Sequence, residues 1–146
     1  MYEIIYNLHS LLAYAVLIML VIAVINAIKG FTGNKMFTLE KDFRISLFAL
    51  ILAHMQLLVG LVLYFVSPKG FNAIQQLGMS GLTSAARLVA VEHPFINIIA
   101  LVFITIGWSK HKKIMEAHRK FKTIAIFYSI GLVLILSRLP WGQWFA

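Results

Sequence analysis

Four long apolar stretches, separated by short polar connections, set the pattern of the chain. They predict helices at about residues 4–28, 43–66, 86–108 and 113–139. Crossing a bilayer takes about 20 residues at a rise of 1.5 Å each. The first three stretches meet that length unaided, and the fourth has a shorter apolar core between Lys122 and Arg138, whose long side chains can reach the membrane interfaces. The sequence therefore predicts an all-α, integral membrane four-helix up-down bundle that forms a single transmembrane domain over residues 1–146.

The connection between the second and third predicted helices carries a weaker apolar pattern. Ser67-Pro68-Lys69-Gly70 ends the second helix, and Phe71, Ile74 and Leu77 then recur at helical spacing. This spacing favours a short amphipathic helix on the membrane surface, and an irregular loop with apolar residues is the alternative.

The composition agrees with a membrane location and narrows the available chemistry. Hydrophobic residues make up 61% of the chain and charged residues 12%, whereas about a quarter of a soluble domain is charged. This difference excludes an ordinary soluble globule and a disordered chain. The absence of cysteine excludes disulfides, iron–sulfur clusters and cysteine-bound zinc, so the five histidines are the remaining strong nitrogen ligands.

Lysine and arginine are distributed unevenly, and this predicts the orientation. Ten of the 13 lie in the first and third connections, which the positive-inside rule assigns to the cytoplasm, with both termini on the periplasmic side of a bacterial inner membrane. Basic connections beside apolar helices indicate contact with the lipid bilayer and no nucleic-acid partner. His111 and His118 fall in the third connection and are expected at a solvated or lipid-facing interface.

His9 and His93 are the strongest candidates for chemistry inside the membrane. Each shares a helical stripe with small residues, which usually faces other helices. The stripes hold Ala13, Ala23 and Ala27 beside His9, and Ala86, Ala90, Asn97, Ala100 and Gly107 beside His93. Both histidines lie about 8–9 Å below the outer helix ends, on helices that are diagonal in an up-down bundle. Two imidazoles at one depth suit a flat cofactor with an axial ligand on each face, such as haem b.

Two arginines and one glycine complete the predicted haem site. Arg138, at the outer end of the fourth helix, and Arg87, at the start of the third, are the candidates to bind the two propionates, because arginine binds carboxylates in a bidentate way. Gly131 shares a face with Arg138 and would let a porphyrin approach the backbone. The alternative is that both arginines reach to lipid headgroups.

His54, near the middle of the second helix, is a third candidate ligand. It lies about 130° from the small and polar stripe of its own helix. It is a candidate to replace either His9 or His93 as a metal ligand, to bind a second haem, to relay protons or to contact a quinone. The alternative is a neutral, buried histidine that is hydrogen-bonded to Tyr128 or to the backbone.

Several segments together resemble a known family. They are Leu8-His9-Ser10, Ala53-His54-Met55-Gln56-Leu57-Leu58-Val59-Gly60, Val91-Glu92-His93-Pro94 and Arg138-Leu139-Pro140-Trp141. This set, spread along essentially the whole chain, resembles short bacterial four-span membrane proteins labelled cytochrome b-like. The resemblance implies b-type haem, electron transfer in the inner membrane, and ligand positions at His9, His54 and His93. The segment around Gln56 is also similar to one helix of haem A synthase, without that enzyme's full set of residues.

The predicted function is electron transfer by a haem b-binding membrane protein, rather than stand-alone enzymatic catalysis. Quinone is a candidate exchange partner, as are respiratory-complex subunits, and the chain is a candidate homo-oligomer. A cofactor-free structural or assembly subunit of a larger membrane complex is the main competing hypothesis. A proton channel or transporter that uses His54 and Glu92 also fits the pattern, as does a non-haem metal site formed by Glu92 and three histidines. Glu92 is further a candidate to accept protons, to pair with Arg87 or to meet water.

Overall fold

A computed structural model describes residues 1–144 and contains helices but no strands among them. The four long helices are α1 (Tyr2–Thr32), α2 (Arg44–Val66), α5 (His93–Lys113) and α6 (Ala117–Ser137). The short helices are α3 (Phe71–Leu77), α4 (Ser84–Arg87) and α7 (Trp141–Trp144), and π-helical turns precede α2 (Leu39–Phe43) and α5 (Leu88–Glu92). The segments built around the four long helices are each long and apolar enough to cross a membrane, which confirms the predicted all-α bundle with four spans.

The four long helices alternate in direction around the bundle. α1 packs against α2 and α6, and α5 packs against α6 and, over a shorter stretch, against α2. α1 and α5 are therefore diagonal, as the sequence predicts for the helices that carry His9 and His93. Tyr2, Trp144 and connection 67–83 lie at one end, which we call the terminal end. Connections 33–43 and 114–116 lie at the other end, which we call the basic end.

The outside of the bundle is apolar, as contact with acyl chains requires. Large hydrophobic side chains are exposed on every long helix, among them Leu11, Ile51, Val102 and Val133. The largest fully buried side chains lie at the middle of the bundle or closer to the basic end. They are Tyr128, Phe121, Leu20, Ile104, Ile124 and His111. The packed core therefore occupies the middle and the basic end.

A buried carboxylate organises the basic end. Asp42 is 5% exposed and accepts hydrogen bonds from the Asn26 amide nitrogen (2.8 Å) and from the backbone N–H of Thr38 (2.8 Å). The backbone carbonyl of Asp42 accepts a hydrogen bond from the Ser46 hydroxyl (3.0 Å), and the backbone carbonyl of Ser46 accepts one from the Tyr128 hydroxyl (2.8 Å). These bonds connect α1, α2 and α6, so buried polar groups fix how the helices meet.

His111 belongs to this packed end, and the expectation of a solvated or lipid-facing position is wrong for it. Its side chain is fully buried, and its Nδ1 donates to the Trp108 carbonyl at 2.6 Å. Aromatic rings of Phe37 and Phe43 pack beside it, with ring centroids at 5.5 and 6.1 Å. The reason is that helix α5 continues to Lys113, one turn beyond the predicted end, so His111 lies on a helix that packs inward.

The third basic connection is correspondingly shorter than the sequence suggests. Lys110, Lys112 and Lys113 lie in the last turn of α5, and only residues 114–116 separate α5 from α6. Lysine is a good helix former, and a positive charge is favourable at a helix C-terminus. These charges therefore remain at the basic end but extend the helix instead of forming a loop.

The entry to α5 is a widened helical turn. Pro94 has no N–H to donate to Ala90, and the sequence predicts a kink there. At this position the structure has the π-helical turn Leu88–Glu92, in which the N–H of His93 donates to the carbonyl of Leu88, five residues earlier. The extra residue in this turn brings the side chains of Arg87 and Glu92, also five residues apart, to within 3.3 Å.

The predicted helix in connection 67–83 is present as α3. Its buried residue is Ala73, which packs with Leu82 and Ala90, while Phe71 and Leu77 are exposed. This small second core ties α3 to the π-helical turn, and α3 therefore covers part of the terminal end.

Candidate cofactor site

His9 and His93 face each other across the terminal half of the bundle. Their ring centroids are 6.3 Å apart and their planes are nearly perpendicular, at 86°. This confirms the predicted meeting of the two imidazoles. An imidazole nitrogen binds a metal at about 2.0–2.1 Å, and the ring centroid lies about 1.1 Å behind it, so two opposed ligands hold their centroids about 6 Å apart. The observed separation fits one metal ion between the rings.

The protein orients His93 through one ring nitrogen. Its Nδ1 lies 3.0 Å from the backbone carbonyl oxygen of Arg138, which can only accept, and 3.1 Å from the Asn97 amide nitrogen, which can only donate, so the two contacts require opposite tautomers. We assign the proton to Nδ1, because the Asn97 amide already donates to the His93 carbonyl, whereas the Arg138 carbonyl has this ring as its side-chain donor. Asn97, one turn further along α5, donates its amide to the backbone carbonyl of His93. A histidine ligand usually donates its second ring nitrogen to a backbone carbonyl or carboxylate, and this arrangement leaves Nε2 of His93 for a ligand bond.

α2 makes room for His9. A Cβ atom added at Gly60 would lie 3.0 Å from Cε1 and 3.5 Å from Nδ1 of the His9 ring, so a side chain at this position would press on the imidazole. One turn earlier, Gln56 donates its amide nitrogen to the backbone carbonyl of His9 at 2.8 Å. Sequence reasoning places Gln56 and Gly60 on one stripe but assigns neither a role. Their position on one face of α2 was the feature of the sequence that could have indicated a role beside His9.

Two enclosed polar atoms on this α1–α2 side have no hydrogen-bond partner within residues 1–144. They are Nδ1 of His9 and Oε1 of Gln56. Most buried polar atoms in proteins are paired, so an unpaired one asks for an explanation such as a ligand or a different partner.

The two imidazoles border a cavity of about 520 Å³. Its walls come from all four long helices and from connection 67–83, and most of the lining is apolar. Phe65 on α2 and Phe95 and Ile98 on α5 belong to this lining and are also exposed. Since α2 and α5 are the neighbouring helices that pack over the shortest stretch, the cavity opens sideways onto the apolar exterior. Its volume lies in the range of sites for small organic ligands, about 300–1,000 Å³.

His54 is not brought to this site. Its side chain is exposed on the outside of α2, and its Nδ1 bonds to the Leu50 carbonyl at 2.8 Å. The expected backbone hydrogen bond is present, but the interpretation as a buried histidine is wrong, because His54 points away from the small stripe that faces the bundle. Among residues 1–144 no group of three or more His, Cys, Asp or Glu side chains is arranged to hold a metal, so a non-haem site of three histidines and Glu92 has no support.

Arg87 and Arg138 both lie at the terminal end, where they pair with the same carboxylate, that of Glu92. The guanidinium Nε of Arg87 lies 3.3 Å from one oxygen of Glu92, and that of Arg138 lies 3.5 Å from the other. The pairing of Arg87 with Glu92, one of the possibilities that the sequence leaves open, is therefore confirmed. Neither arginine lines the cavity. Within the described part of the chain, Lys69 is the lysine or arginine that lines the cavity. The sequence analysis names Lys69 only in the segment that ends the second helix.

Gly131 serves helix packing instead of a porphyrin. A Cβ atom added there would lie 2.5 Å from Cγ1 of Ile104 and 3.1 Å from the Ala100 carbonyl oxygen. The glycine therefore lets α6 approach α5 closely, and the expected contact with a cofactor is wrong. A small residue at this position is explained equally well by a closely packed helix and by a flat ligand, and here the helix is what lies against it.

Comparison with known proteins leaves the site to be argued from its own geometry. No protein-family model matches the chain, and neither a curated protein nor a solved structure is significantly similar to it. The facing imidazoles, the unpaired Nδ1 of His9 and the glycine beside its ring are therefore the observations on which a function rests.

Proposed function

We propose that this chain binds haem b between His9 and His93 and carries electrons in a membrane. The single observation that carries the proposal is the pair of imidazoles, 6.3 Å apart on diagonal helices at the edge of an apolar cavity. His9 on α1 and His93 on α5 would be the residues that hold the haem, one from each diagonal helix. The iron of a bound haem would supply one-electron oxidation and reduction.

In this proposal the residues of the chain bind the haem, orient its two histidine ligands and shield it from water. His93, held at Nδ1 by the Arg138 carbonyl, presents Nε2, and His9 supplies the second ligand in the space left by Gly60. The contribution of Arg138 is then its backbone carbonyl, while Lys69 in the cavity wall binds a propionate. The apolar lining excludes water, which is one of the means by which a protein sets a reduction potential.

The proposal includes a location and an electron partner. We place the chain in a bacterial inner membrane, with the basic end in the cytoplasm and both termini in the periplasm, because ten of the 13 lysines and arginines lie at the basic end. The sideways opening between α2 and α5 faces the acyl chains, where a quinone or a membrane subunit of a respiratory complex can approach.

Optical spectroscopy tests the proposal. The protein is expressed in bacteria supplied with haem precursor and purified in mild detergent, and its haem content per chain is measured. We expect a Soret band and a reduced α band in the wild type and in His54→Ala, whose altered side chain lies on the outside of α2. His9→Ala and His93→Ala should each lose most of the haem, because one axial ligand is missing.

Two results would contradict the proposal. One is a wild-type protein without a Soret band under these conditions. The other is a His93→Ala variant that keeps its haem but no longer copurifies with partner proteins, which is the behaviour of a cofactor-free assembly subunit.

A further inference from the structure

The two unpaired polar atoms beside His9 complement each other chemically. An imidazole Nδ1 can carry a proton and donate it, and an amide oxygen such as Oε1 of Gln56 can only accept. Each atom is enclosed by protein and has no partner. Leaving a buried polar atom unpaired is unfavourable, so two such atoms on neighbouring helices favour a bond to each other.

Gln56 is already anchored to the right residue. Its amide nitrogen donates to the backbone carbonyl of His9 at 2.8 Å, which holds the amide group beside that residue. The Nδ1 edge of the ring faces α2, because the nearest approach from Gly60, one turn beyond Gln56, is to Cε1 and Nδ1 and is longest to Nε2. Oε1 and Nδ1 are not hydrogen-bonded in this structure, but the terminal torsion of a histidine ring is broad, so a turn of the His9 ring can bring Nδ1 to Oε1 while the Gln56 amide nitrogen keeps its bond to the His9 carbonyl.

We infer that Gln56 is the positioning residue of His9: its Oε1 accepts a hydrogen bond from the Nδ1–H group, which fixes the ring tautomer and leaves Nε2 free toward the cavity. Gln56 then does for His9 what the Arg138 carbonyl does for His93. Each imidazole is oriented by a carbonyl oxygen from a neighbouring segment, α2 in one case and the end of α6 in the other. The value of this arrangement for haem rests on the proposed function, but the tautomer itself does not.

The tautomer can be measured without haem. Protein labelled with ¹⁵N-histidine is reconstituted in lipid nanodiscs in its haem-free form, and His9 is assigned from the signal that is lost in His9→Ala. We expect the wild type to hold His9 mainly with the proton on Nδ1. Gln56→Leu should shift His9 toward the Nε2-protonated form, and Gln56→Glu, which keeps an acceptor at the same position, should restore the wild-type signal.

A matched control is Gln143→Leu, which removes another glutamine from the cavity wall, one that donates to the Ala85 carbonyl. It should leave the His9 signal unchanged. With haem supplied, Gln56→Leu should weaken haem binding by about 10-fold or more and raise the reduction potential, because hydrogen-bond partners of a ligating histidine act on both.

The outcomes separate this inference from the haem proposal. An unchanged His9 tautomer in folded Gln56→Leu would overturn the inference, even if haem binds. A shifted tautomer in a wild-type protein that takes up no haem would support the positioning role and contradict the haem site. If Gln56→Leu does not fold, the comparison of Gln56→Glu with the wild type still decides, because loss of Nδ1 protonation in Gln56→Glu would also overturn it.

Discussion

The two ends of this bundle are built on opposite principles. At the basic end, Asp42 is buried with its hydrogen-bond partners and the His111 ring is packed among aromatic side chains. At the terminal end, four helices surround a cavity of about 520 Å³. Within residues 1–144 each end holds two enclosed polar atoms without a partner, on His9 and Gln56 at the terminal end and on His111 and His118 at the basic end, so the ends differ in open space and not in unpaired atoms. Precise ligand geometry needs a rigid support. The packed basic end supplies this rigid support, and the terminal end can therefore remain open around the cavity.

The strongest test of this contrast exchanges one glycine at each end for leucine. In Gly30→Leu the new side chain would run into the ring of Phe121, which is 1% exposed and cannot move aside. We expect a loss of about 3 kcal/mol of unfolding free energy, or failure to fold. In Gly60→Leu the obstacle is the His9 ring beside the cavity, which can shift, so the expected loss is under about 1 kcal/mol.

Unfolding in detergent, followed by tryptophan fluorescence, measures both variants. Gly60→Leu should additionally lose haem, since the His9 ring is displaced, whereas any Gly30→Leu protein that folds should keep it. Equal destabilisation by the two substitutions would show that the ends do not differ in rigidity.

The second prediction concerns the buried carboxylate of the basic end. Asp42→Ala leaves the Asn26 amide and the Thr38 N–H without their acceptor, so we expect a loss of about 2 kcal/mol in the same unfolding assay. Glu40→Ala, two residues earlier and exposed, is the control and should change stability by less than about 0.5 kcal/mol. A similar effect of both substitutions would contradict the role given to the Asp42 network.

The smallest effect is expected at the rim of the terminal end. Glu92→Gln removes the charge that Arg87 and Arg138 share, but all three side chains are more than a third exposed, so the loss should stay below about 1 kcal/mol and shrink in high salt. Haem content should be unchanged. Lys69→Gln, which alters the cavity wall, should instead lower haem retention without a salt-dependent change in stability. Unchanged haem retention in Lys69→Gln would contradict the anchoring role given to Lys69.

The hydrophobic pattern predicts the fold well, because four long spans leave few arrangements. Depth counting and the small-residue stripes also predict that His9 and His93 meet. Pattern reasoning fails where one residue type serves two purposes. Position 131 holds a glycine because α5 packs closely against it. His54 lies on the outside of the bundle, although a polar side chain in a membrane span suggests a function. The role of Lys69 depends on how connection 67–83 folds over the terminal end, which periodicity does not encode.

The π-helical turn Leu88–Glu92 has a consequence for how such chains can vary. A π-helical turn absorbs one additional residue, and each residue gained or lost in a helix rotates what precedes it by about 100°. Deleting one residue here would return the turn to an ordinary α-helical turn, so Arg87 and Glu92 would then be four residues apart and still on one face, and His93 would stay in place because the Arg138 carbonyl holds it from the other side. We therefore expect the loss of one residue to be tolerated before His93, whereas a change in the spacing from His93 to Asn97 would break the bond from the Asn97 amide to the His93 carbonyl.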